Sequence, residues 1–213
     1  MSRSTISLLL VLLCGFIAVL VWQRQGIAQA PVEGRFADRA GALHFGPAVS
    51  AADRALVIGA LARARPQARA LIERQLGAVT VEIGSPAADV AGLTHLENER
   101  FTVTLDLPLI YRALGTPGTD RLVMHEFGHV VDFALTPAEL DSRLDTMVPR
   151  GYGCDDGVSG ACATVRERFA ESFSKWATGD IGARAGAVLG YRVPPPYDLE
   201  AWGRTLVAGA AGS

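Results

Sequence analysis

Cysteine is scarce in this chain: 3 residues among 213, of which Cys14 sits inside an apolar N-terminal run. The other two, Cys154 and Cys162, stand in the stretch CDDGVSGAC with no third cysteine and no histidine beside them, which makes a poor metal site. In an oxidising compartment the pair is expected to form a disulfide closing a small loop, a link that stabilises by roughly 2–3 kcal/mol. A surplus of either charge is also missing. The 20 Lys and Arg stand against 22 Asp and Glu, a net charge of -2, so the electrostatic footprint of a nucleic-acid binder is absent. The mildly basic stretch from Arg65 to Arg74 reads as a helix with a solvated face. Apolar residues are not lacking. With 49% of the chain hydrophobic and 20% charged, intrinsic disorder is excluded and a globular domain is expected. No internal repeat is present.

The apolar residues are unevenly spread. Ile6 to Trp22 is uncharged and almost wholly apolar, preceded by Arg3 and followed by Arg24. The run is longer than the about 7–15 residues of a secretory h-region and shorter than the about 20 of a spanning helix. Ala28-Gln29-Ala30 has the small-x-small pattern of a cleavage site, but Pro31 behind it lacks the amide hydrogen that a protease reading an extended strand would use. Residues 1–30 therefore read equally as a cleaved signal peptide or as an uncleaved anchor touching the membrane through residues 6–22. Cys14, preceded by the bulky Leu13, reads as an apolar residue of that segment rather than a lipid-attachment site. Both alternatives place the rest of the chain outside the cytoplasm.

Residues 31–49 are mixed in character and read as a linker or loosely docked arm; residues 50–213 read as one domain. From Ser50 apolar residues recur at helical spacing, Pro66 opens a second helix, and Gly77 stops it. Val79, Val81 and Ile83 alternate as a strand does, as do Phe101, Val103, Leu105 and Leu107. A short helix from Leu109 to Leu114 is expected to end at Gly115. Thr116 to Thr119 reads as a turn, with Asp120 as cap of a helix over Arg121–Phe133. Further helices are expected from Pro137 through Leu144, from Thr164 to Thr178 and from Leu199 to Val207. The class is α+β, helix-rich with a small mixed sheet.

The strongest signal is His125-Glu126-Phe127-Gly128-His129. Histidines four apart lie on one helical face, so both imidazoles can reach one Zn²⁺ at about 2.0–2.1 Å. Glu126, one step round the helix, can serve as general base toward a water that the metal polarises. Leu122, Val123, Val130, Val131 and Phe133 make the helix apolar on nearly every side, hence buried, and buried histidines need partners. Asp132 lies one turn past His129, where convergence on the same ion is difficult; an acceptor behind the ligands or a salt bridge suits it better. His44 and His95, far upstream, read as surface or loop residues. Downstream, Glu167 and Glu171 stand at i and i+4 opposite a stripe of Val165, Phe169, Phe173 and Trp176. The small Ala170 and Ser174 nearby would let this helix approach the metal.

HEFGHVVDF followed by ERFAESF resembles the Glu-zincin metallopeptidases, most closely the catalytic domain of anthrax lethal factor and its relatives; the resemblance covers roughly Leu122 to Trp176. It implies His125, His129 and Glu167 as ligands of one zinc ion and Glu126 as general base. Glu171 becomes a carboxylate orienting a ligand histidine from behind, or an alternative third ligand. The family also uses a tyrosine before the ligand glutamate to stabilise the oxyanion, and the nearest counterpart here is Tyr152.

The expectation is a single zincin-type metallopeptidase domain, exported, monomeric, and acting on a peptide or protein. An edge strand, Phe101–Leu107 or Val79–Ile83, would pair with the extended substrate. The rival readings are an envelope-anchored binding protein with a structural or inactive zinc site, and a zinc amidase acting on a cell-envelope amide.

Overall fold

Cap and turn residues set where each element starts. After the short strand β1 (His44–Phe45), Ser50 caps α1 (Ala51–Arg63) by accepting from the Asp53 amide at 3.1 Å, and Pro66 opens α2 (Pro66–Glu73). A 3-10 turn, Leu76–Ala78, leads into β2 (Val79–Ile83). Strands β3 (Gly92–Glu97) and β4 (Arg100–Leu105) form a hairpin. Its two turn residues, Asn98 and Glu99, are both left-handed, with φ of 48° and 62°. That backbone twist is the one a two-residue hairpin requires.

α3 (Leu107–Leu135) starts under Asp106, whose carboxylate accepts from the Leu109 amide at 3.1 Å. Gly115 interrupts it with φ 63° and ψ -155°, a conformation essentially restricted to glycine, and Pro117 opens the second segment. α4 (Ala138–Thr146) follows. α5 (Val165–Thr178) is capped by Thr164 and closed by Gly179 at φ 72°, and α6 (Leu199–Ala210) is capped by Asp198.

The computed structural model describes residues 43–87, 90–150, 163–181 and 193–211, all within one unit, Ala40–Ser213. Its sheet has the order β1-β2-β4-β3, the first three strands parallel and β3 antiparallel to β4. Val79, Val81, Phe101, Val103 and Leu105 are buried, and α3 contacts β3 and β4 as well as α1 and α5. Phe169, Phe173, Trp176 and Trp202 form a second cluster between α5 and α6. The helix-rich α+β class with a small mixed sheet is the observed one.

Several expectations are corrected. The end of the anticipated arm is docked: His44 and Phe45 pair with Thr80 and Val81, and Leu43 and Val49 are buried. Thr116–Thr119 is helical rather than a turn, and Asp120, expected as a cap, binds Arg63 of α1 at 2.6 Å. Neither strand expected at the sheet edge lies there. Val79–Ile83 and Arg100–Leu105 are interior, and the edge beside α3 is β3, which carried no strand signal in the sequence. The expected disulfide and membrane segment have no counterpart among the described residues. All three cysteines, Tyr152 and residues 6–22 lie outside the described residues. Among the described residues there is no disulfide and no helix long and apolar enough to cross a membrane.

Candidate metal centre

The second segment of α3 is buried because its sequence is apolar nearly all round: Leu122, Val123, Met124, Phe127, Val130 and Val131 are each shielded from solvent. Gly128, inside HEFGH, permits a close approach of α5. A Cβ there would stand 3.0 Å from Ala170 Cα and 3.2 Å from its carbonyl oxygen. Ser174 adds a hydrogen bond from its hydroxyl to the Arg121 carbonyl at 2.8 Å. The small residues of α5 thus lie at the crossing, as their spacing suggested.

This crossing carries Glu167 to both imidazoles. Glu167 Oε2 lies 3.2 Å from His125 Nε2, and Oε1 lies 3.5 Å from His129 Nε2. One donor atom from each of His125, His129 and Glu167 falls within 4.8 Å of the others. Donors bound tetrahedrally at about 2.0–2.1 Å would stand about 3.3 Å apart, so these separations suit a zinc-sized ion. Two nitrogens and one carboxylate are also the donor set of open zinc sites, which leave one coordination position free.

Glu171 stands behind this triad and outside it. Its Oε2 lies 3.3 Å from His125 Nδ1, while Oε1 accepts from Arg121 Nη2 and, at 2.5 Å, from Lys175 Nζ. Arg121 and Lys175 are themselves buried, and each also donates to a backbone carbonyl, Asp180 at 3.0 Å and Val193 at 2.8 Å. A carboxylate on Nδ1 favours the tautomer that leaves Nε2 free for a metal.

The titration of these groups is strongly biased. Burial alone would lower the His125 pKa, but hydrogen bonds to Glu167 and Glu171 and the nearby Glu126 raise it to about 10. Burial would raise Glu167, yet its hydrogen bonds with His125 and His129 hold it far below the usual carboxylate range. Glu171 resists burial in the same way, lowered to about 2 by His125, Lys175 and Arg121. Without a metal, these contacts favour the protonated form of the His125 imidazole and the ionised forms of Glu167 and Glu171.

The Glu126 carboxylate meets β3 of the sheet while its charge acts on His125. The Thr94 hydroxyl of β3 lies 2.8 Å from Glu126 Oε2 and 3.0 Å from its backbone oxygen. A Cβ built on Gly92, two residues earlier on the same strand, would collide with the Glu126 carboxylate.

Of the remaining candidates, His44 and His95 are exposed and lie outside the triad. Asp132 is buried without joining it, and burial together with the Asp141 charge raises its pKa to about 7. Sequence reasoning missed Thr94, Gly92, Arg121 and Lys175. Only Lys175 had a local signal, standing four residues after Glu171 on one helix.

Fold and site together define a class: a helix-rich α+β domain whose HExxH histidines and downstream Glu167 form a gluzincin-type metal site, an arrangement that supports a zinc metallopeptidase assignment. Compared with protein-family models, curated proteins and solved structures, the chain finds no match.

Proposed function

We propose that the chain is an exported zinc peptidase that hydrolyses peptide bonds in an extended peptide or unfolded protein segment. The carrying observation is the convergence of His125, His129 and Glu167 on one point, with the Glu126 carboxylate on the same helix. His125 Nε2, His129 Nε2 and a Glu167 oxygen would hold the zinc. When bound, zinc supplies Lewis acidity to water and to the substrate carbonyl. Glu126 would take a proton from water as the water oxygen adds to the carbonyl carbon, and then deliver it to the amide nitrogen as the C–N bond breaks in a second step. Glu171 orients His125 through Nδ1.

Strand β3 supports the peptide class. It lies at the sheet edge, and Leu93 and Leu96 are 48% and 41% exposed, so an extended peptide can add there as a further strand. Export rests on the apolar run Ile6–Trp22 behind Arg3.

The test uses zinc-loaded protein and a mixed peptide library, with and without chelator. Cleavage should need zinc, and Glu126→Gln should retain zinc while losing cleavage by about 10²-fold or more. Wild-type protein that holds zinc and cuts no peptide would overturn this reading.

A further inference from the structure

The geometry points to Thr94 as the positioning residue of the general base, making edge strand β3 the element that aims Glu126. This rests on the peptidase reading above and deepens it. Among the described residues, the hydrogen bond to the Glu126 carboxylate comes from Thr94, at 2.8 Å to Oε2. The Thr94 hydroxyl has one proton to donate, and of its two acceptors the carboxylate oxygen at 2.8 Å is nearer than the Glu126 backbone oxygen at 3.0 Å. Steric confinement acts beside it. Gly92 faces the same carboxylate, which occupies the space where any other side chain would begin. Residues i and i+2 of a strand share a face, so Gly92 and Thr94 present one surface to α3. In the register of the hairpin they stand opposite Leu105 and Val103, both buried.

The consequence is a division of labour within one strand. Among the described residues no strand pairs with the outer backbone edge of β3, which a peptide could take, while the side facing α3 holds the base by one hydroxyl and one absent side chain. A base must be aligned at the moment of proton transfer, and misplacement by about 1 Å can cost about 10²-fold in rate. A residue acting through Glu126 should therefore affect kcat and leave zinc binding alone.

The experiment compares Thr94→Val, which keeps the shape and removes the donor, with Thr94→Ser, which restores the donor. Zinc affinity, acetohydroxamate binding to the zinc-loaded protein, and kcat and KM on a cleaved library peptide are measured. Acetohydroxamate serves because it chelates zinc and gives up a proton that a neighbouring carboxylate can hold. Thr94→Val should bind zinc as the wild type does and lose about 10- to 100-fold in kcat with KM little changed. Its acetohydroxamate binding should also weaken. Thr94→Ser should recover most of both, and in a Glu126→Gln background Thr94→Val should add nothing further. Wild-type kcat and acetohydroxamate binding in folded Thr94→Val would overturn the role of Thr94 alone. So would a loss that persists undiminished in the Glu126→Gln background. Zinc-loaded wild-type protein that neither cleaves peptides nor binds acetohydroxamate would overturn the peptidase reading itself, and the role of Thr94 with it.

Discussion

Two glutamates one helical turn apart do different work here. Glu167 faces the two imidazoles and is partly open to solvent; Glu171 is sealed behind His125 with two cations on one of its oxygens. Removing Glu171 would leave Arg121 and Lys175 buried without their shared anion, the situation in which breaking a buried ion pair costs about 3–5 kcal/mol. Glu171→Ala should therefore lower the unfolding free energy of the metal-free protein by that order, read from urea denaturation. Glu167→Ala should disturb metal-free stability less and abolish zinc binding at concentrations that saturate the wild type. Equal stability losses in the two variants would show that Glu171 is not the counter-ion described. The glutamates themselves were legible in the sequence, because i, i+4 carboxylates beside HEFGH suggest a shared site. Arg121 was not. Its partner is 50 residues away, and nothing local distinguishes it from an exposed arginine.

At the scale of elements, the crossing of α3 and α5 positions the site. Gly128→Ala should force the helices apart, because the new methyl would press on Ala170 backbone atoms rather than on a movable side chain. A stability loss of about 1–3 kcal/mol is expected, with weaker zinc binding as Glu167 retreats. Gly84→Ala, where a Cβ meets nothing within 4 Å, serves as the control. Unchanged zinc affinity in Gly128→Ala would mean that the crossing does not set the Glu167 position. Helices were the legible part of the fold because caps such as Ser50, Thr164 and Asp198 and the proline at 66 mark their starts. The hairpin was hidden for a physical reason. Its left-handed turn is made by Asn98 and Glu99 without a glycine, and β3 is an edge strand whose exposed residues include both Leu96 and Glu97. The sheet therefore read as two isolated strands, and the edge was assigned to the wrong ones.

For the whole molecule, stability should carry an acid-side bias from Asp132. Burial and the Asp141 charge raise its pKa from 3.8 to about 7, so between those values the folded protein binds a proton that the unfolded chain has released. Stability from this residue is thus present at about pH 4 and declines as the pH rises toward 7. Asp132→Asn should gain on the wild type over that interval, measured as the difference in melting temperature from pH 4 to pH 8. A difference that stays flat would remove Asp132 from the pH response.

The β3–β4 hairpin has one more consequence, for which insertions and deletions the chain can tolerate. The two-residue Asn98-Glu99 turn closes the β3–β4 register in which Gly92 and Thr94 meet Glu126. A turn longer by one residue would cost little in chain entropy, yet a one-residue slip turns a strand over. Leu93 and His95 would then face the carboxylate in place of a glycine and a hydroxyl. A surface turn, ordinarily the most permissive place to lengthen a protein, is here the gauge that keeps the interior chemistry in register.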